Sequence, residues 1–115
     1  MGMKPIIIKS DKILDRLGIF FRIGGITLIP FIIVRPNANK TTIHHETIHI
    51  RQAWELFVIP FYLIYLWDWL WGLWKYKDTQ VAYQRIRFEQ EAYDNERRWT
   101  YLDKRTPYQW RKYKV

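Results

Sequence analysis

Cysteine is absent from the 115 residues. That excludes a disulfide framework, a thiol nucleophile and every zinc site built on paired cysteines. Histidine is scarce as well, with only 3 in the chain, so imidazole chemistry falls to His44, His45 or His49. Acidic side chains are outnumbered, 11 Asp and Glu against 19 Lys and Arg, for a net charge of +8. Such a surface favours phosphate backbones, anionic lipid headgroups or acidic peptides as partners. The start of the chain has no secretory signal pattern, since Lys4 is followed only by Ile6, Ile7 and Ile8 before Lys9, Asp11 and Lys12. The expectation is therefore a cytoplasmic or membrane-associated protein. Gly2 opens no myristoylation motif, because Ile6 stands where Ser or Thr is needed. Internal repeats and low-complexity segments are also missing. Present in abundance are apolar residues, at 49%, and aromatics, at 18% with 7 Trp; this excludes a disordered tail or a fibrous repeat.

The length suits one core. Pro5–Lys9 reads as a β-branched strand, and Ser10 as the cap of a short helix over Asp11–Leu17 that ends at Gly18. Ile19–Ile23 and Ile26–Arg35 read as two strands joined by a Gly24-Gly25 hairpin turn, with Pro30 placing the second at an edge or a bulge. Thr41 or Thr42 should cap a helix running to Ile59, which Pro60 kinks or breaks. A second helix, Phe61–Trp74, is apolar almost all round. A third starts near Asp78 or Thr79 and reaches Trp99. Strands come first and helices after, so the expected class is α+β: a small antiparallel sheet followed by three helices, the first of them central. Residues 1–99 form the domain and 100–115 a basic, aromatic tail.

His45-Glu46-Thr47-Ile48-His49 is an HExxH motif. On a helix the two imidazoles lie about 40° apart, one turn from each other, and can share one tetrahedral Zn2+. Glu46 lies about 60° to the side of His49, within reach of a zinc-bound water as general base but not placed as a ligand. Zinc lowers the pKa of that water towards roughly 7. Chance would produce this pattern in roughly 0.3% of chains of this composition. His44 points about 100° away and reads as a solvated helix residue. A catalytic zinc needs a third protein ligand, and with no further His and no Cys it has to be a carboxylate. Glu55, Asp68, Asp78, Glu89, Glu91, Asp94, Glu96 and Asp103 are the candidates downstream.

Phe88-Glu89-Gln90-Glu91-Ala92-Tyr93 resembles the E-x-x-A-D segment that supplies the glutamate ligand of gluzincin metallopeptidases. The resemblance is to the CAAX prenyl protease and HtpX branch, and to the peptidase domains of β-lactam sensors. In that branch the zinc helix often reads HExxHI followed by a basic residue, as at His45–Arg51. A hydrophobic segment commonly separates the two motifs, as Leu56–Trp74 does here. Aligning Ala92 implies that Glu89 completes the ligand set with His45 and His49; Glu91, on the opposite helix face, is the alternative. The family's Asp is replaced by Tyr93, whose phenol at i+4 from Glu89 either orients a ligand or the substrate oxyanion, or simply packs. The resemblance also implies a minimal zincin-like fold, peptide-bond hydrolysis, and a substrate held extended against the edge strand Ile26–Arg35.

Leu56–Trp67 carries no charge but would span only about 18 Å as a helix, short of a bilayer core of roughly 30 Å. With Trp54, Trp67, Trp69, Trp71 and Trp74 along this region, and Lys75 and Lys77 after it, the segment suits a buried core or assembly helix, a membrane-surface contact or a span. In the tail, Lys104, Arg105, Arg111, Lys112 and Lys114 interleave with Tyr101, Tyr108, Trp110 and Tyr113. That pattern suits anionic lipid or nucleic acid, or aromatics packed on the domain. The sequence thus supports two functions. One is a zinc metallopeptidase. The other is a non-catalytic, zinc-stabilised module that works through its surface.

Overall fold

The computed structural model describes residues 6–13, 25–28 and 31–115. The class is α+β with helices dominant. Three strands, β1 (Ile6–Lys9), β2 (Gly25–Leu28) and β3 (Phe31–Val34), precede α1 (Lys40–Glu55), α2 (Ile59–Tyr76), α3 (Thr79–Arg85), α4 (Arg87–Asn95) and α5 (Tyr101–Lys104); a 3₁₀ turn follows at Gln109–Lys112.

The sheet order is β1-β3-β2. β3 pairs parallel with β1 and antiparallel with β2, so the sheet is mixed and not purely antiparallel. Residues 10–30, β2 among them, separate β1 from β3, long enough for the crossover that a parallel pairing requires. The expected single strand Ile26–Arg35 is two strands, since Leu28 pairs with Phe31 across the antiparallel ladder; the expected turn at Gly24-Gly25 reaches outside the described residues. The expected strand Ile19–Ile23 lies outside the described residues. Of the expected helix after Ser10, only Asp11–Ile13 is described; the Ser10 hydroxyl accepts from the Ile13 N–H at 3.3 Å.

The α1 cap is Asn39, whose side chain accepts from the Thr42 N–H at 3.1 Å; neither Thr41 nor Thr42 fills that place. α1 stops at Glu55, before the expected end at Ile59. Phe57 and Val58 then turn through the left-handed region, with φ of 60° and 67°, and Pro60 falls in the first turn of α2. Proline is tolerated there because the N–H it lacks has no intrahelical partner. It starts a helix here instead of kinking one.

The expected third helix is broken at Ile86, whose ψ of 129° is extended. Asp68 of α2, buried, reaches this break and accepts from the Arg87 N–H at 3.1 Å and from its guanidinium at 2.8 and 2.9 Å. It therefore caps α4 from outside. Ala53, Phe61, Tyr83, Ile86, Phe88 and Trp110 form the main core cluster, so residues beyond Thr100 contribute to it through Trp110. α1 packs against β2, β3 and α4.

Candidate metal centre

Asn39 starts α1 and the Ile86 break starts α4; where these two helices meet, His45 and His49 face Glu89. All three are buried, at 4%, 3% and 3% exposure. Glu89 sits in the first turn of α4, where the helix dipole favours a carboxylate. Its Oε1 lies 2.8 Å from His45 Nε2 and 3.0 Å from His49 Nε2. The Tyr65 hydroxyl of α2 donates to Oε2.

One ligand atom from each of the three residues lies within 4.8 Å of the others. At zinc–ligand bonds near 2.0 Å, tetrahedral ligand atoms sit about 3.3 Å apart, so a small opening of this cluster accommodates the ion. His49 Nε2 is also a buried nitrogen with no aligned hydrogen bond. It lies 3.0 Å from Glu89 Oε1 in an ion-pair contact of poor hydrogen-bond alignment.

The outer nitrogens are fixed. His45 Nδ1 donates to Glu96 Oε2 at 2.8 Å, and His49 Nδ1 to Gln52 Oε1 at 2.7 Å. Gln52, fully buried, has its amide oriented by donating to Phe88 O at 3.1 Å and Glu91 Oε1 at 3.0 Å. Both imidazoles are thus held as Nδ1–H donors with Nε2 turned inward, the arrangement metal-binding histidines adopt.

Burial alone would lower the proton affinity of His45. Hydrogen bonds to Glu89 and Glu96, with the charges of Glu89 and Glu46, outweigh it and raise the pKa to about 10. His49 is raised for the same reasons, burial being outweighed chiefly by Glu89. Burial would raise Glu89, but the two imidazoles hold it well below the usual carboxylate range. Without metal, the triad is a carboxylate clasped by protonated imidazole.

Glu46 is buried beside the triad, and its charge raises both imidazoles and the Tyr65, Tyr83 and Tyr93 phenols. Tyr93 packs its ring on His45, centroids 4.4 Å apart, and its hydroxyl lies 3.3 Å from that of Tyr83. Burial, with nearby carboxylates, pushes the Tyr93 phenol up to about 12 despite that bond. Tyr93 also lines an open cleft with Gln84, Gln90, Asp94 and Tyr113.

Glu91 is turned away from the triad, accepting from Tyr101 at 2.7 Å and from the buried Arg105 guanidinium, which also binds Glu55 at 2.7 Å. Asp68 is held by Arg87, and Asp78 caps α3 by accepting from the Val81 N–H. Asp94 accepts from the Tyr113 hydroxyl at 2.7 Å. His44 is not a solvated residue: Nδ1 donates to the Glu96 carbonyl at 2.9 Å, and its ring meets Trp99.

Sequence reasoning missed three supports. Glu96 stood only among candidate ligands, although seven residues from Glu89 returns to nearly the same helix face. Gln52 carried a similar signal, one turn beyond His49. Nothing in the sequence ties Tyr65 to Glu89. The edge-strand reading also shifts, because β3 is the central strand; among the described residues, the strand beside α1 with one unpaired edge is β2.

No protein-family model, curated protein or solved structure significantly matches this chain.

Proposed function

We propose that this chain is a zinc-dependent metallopeptidase, with His45, His49 and Glu89 holding the metal and Glu46 as general base. The observation that carries this reading is the convergence of two Nε2 atoms and one carboxylate oxygen in a buried site, each imidazole oriented from behind. Intact Glu46 adds to it, since a purely structural site has no use for a base and usually fills its fourth position with protein. Zinc bound there supplies a Lewis acid that polarises a carbonyl and acidifies water.

The chain's own residues do the rest. Glu46 takes the proton of the attacking water and returns it to the departing amine. Glu96 and Gln52 keep the imidazoles from rotating, and the Tyr93 ring braces His45 on the side that borders the cleft. Among the described residues β2 has an unpaired edge, which offers backbone groups to an extended peptide.

A second reading, a zinc-stabilised structural module, is favoured by one observation: His45, His49, Glu89 and Glu46 are all at most 4% exposed. Zinc content and cleavage of an unfolded protein substrate, measured in parallel, separate the two. Glu46→Gln should keep one zinc per chain while hydrolysis falls roughly 10² to 10⁴-fold. Glu89→Ala should lose both. Wild type that binds zinc and cleaves nothing, with Glu46→Gln indistinguishable from it, gives the structural reading; wild type that takes up no zinc ends both.

A further inference from the structure

α2 has two faces of different character. Phe61, Asp68 and Gly72 are buried, and with Tyr65 they form the stripe turned to the core. Ile59, Leu63, Leu66, Trp67, Leu70, Trp71 and Trp74 are all exposed, Trp67 and Trp74 at 66% and 65%. At 100° per residue these seven fall within an arc of about 140°. No charge interrupts it, since Asp68 is the one charged residue between Ile59 and Trp74 and lies on the buried side. Phe57, 84% exposed, is put into solvent by the left-handed turn just before the helix. A contiguous apolar surface of this kind is rare on a protein that meets only water.

Charge decides what covers it. Exposed cations gather at the tryptophan end of the face. Lys77 lies over the Trp74 ring at 5.6 Å, Lys75 donates to the Val115 carbonyl at 3.3 Å, and Lys114 lines a cleft with Trp67 and Trp71. Leucines, then tryptophans, then lysines follow the order of acyl chain, interface and anionic headgroup. A second copy fits poorly, because pairing two such faces brings like charges together on chains that each carry +8. Among the described residues no single helix is long and apolar enough to cross a membrane, and the opposite face of α2 is committed to its own core. We infer that α2 docks in the plane of an anionic membrane surface, its Ile59–Trp74 face in the acyl boundary and Lys75, Lys77 and Lys114 on the headgroups.

The test is flotation of the full chain with phosphatidylcholine vesicles, with and without phosphatidylserine, read with the tryptophan emission shift. Wild type should float with the anionic vesicles and shift to the blue. Leu66→Glu/Leu70→Glu should lower partitioning roughly 100-fold with unchanged circular dichroism, because both side chains are exposed. Lys75→Gln/Lys77→Gln should lower partitioning into anionic vesicles by about 25-fold. The proposal fails if wild type does not float, or if the leucine pair leaves flotation unchanged. It fails equally if light scattering shows a dimer that the leucine pair dissolves, or if that pair instead abolishes tight binding to a single-stranded oligonucleotide. None of these readouts depends on bound zinc or on hydrolysis.

Discussion

Glu96 and Gln52 touch no ligand position, yet each fixes the proton-bearing nitrogen of one imidazole. Losing such a partner costs a metal site roughly 10- to 100-fold in affinity without removing a ligand. We expect Glu96→Gln to weaken zinc towards the lower end, because an amide still accepts from His45 Nδ1. Gln52→Leu should fall at the upper end or beyond, since it frees His49 and also takes a donor from buried Glu91. Competition against a chromophoric chelator measures both. Equal affinities for wild type and both variants would mean that the imidazole rotamers are held by packing alone. Glu91 is bound into the same network through Gln52, Arg105 and Tyr101. Glu91→Ala should destabilise the fold by about 1–3 kcal/mol, because Arg105 keeps Glu55 while Tyr101 and Gln52 lose a buried acceptor; chemical denaturation measures it.

At the scale of elements, α2 and α3 meet at Gly72, where an added Cβ would stand 3.0 Å from Ala82 Cα and 3.1 Å from its Cβ. The obstacle is partly backbone, so the helices must separate. Gly72→Val should cost about 2 kcal/mol as overpacking, even though replacing a helical glycine recovers a fraction of a kcal/mol of propensity. Thermal melting checks it, and an unchanged midpoint would show that the two helices slide apart freely. What could be read of these elements in advance followed from local chemistry. HExxH on a helix, the helix start near Asp78 or Thr79 and the strands-then-helices order all rest on residues adjacent in sequence. What escaped rests on distant partners. The break at Ile86 is held by Asp68, nineteen residues before its partner Arg87, and periodicity across Thr79–Trp99 carries no trace of it. β3 lies at the centre of the sheet because β1 returns to pair with it in parallel, which no alternation pattern encodes. Of the candidate site, the grouping of His45, His49 and Glu89 was legible; Tyr65 was not, because its hydroxyl partner belongs to another helix.

For the molecule as a whole, a metal bound as proposed would compete with protons for one buried triad. The raised His45 pKa, about 10 folded against 6.5 as the ordinary value, stabilises the metal-free fold fully below pH 6.5, and that contribution is lost as pH rises towards 10. The depressed Glu89 acts in the other direction: its contribution is present above about 4.5, the ordinary value, and lost as pH falls. From this triad the metal-free protein gains most between about pH 4.5 and 6.5. Zinc needs Nε2 unprotonated, so uptake releases at least the His45 proton, and affinity should rise about tenfold per pH unit across the neutral range. The net charge of +8 works against the metal-free trend, because self-repulsion eases as pH rises. The readout is therefore the difference in melting temperature between wild type and His45→Gln in chelator, from which that background cancels. This difference should shrink from pH 6 to 8.5, while the increment zinc gives to wild type grows over the same range. If the difference stays flat and the zinc increment is independent of pH, His45 is not protonated in the metal-free fold, and the clasp on Glu89 is made by neutral imidazole.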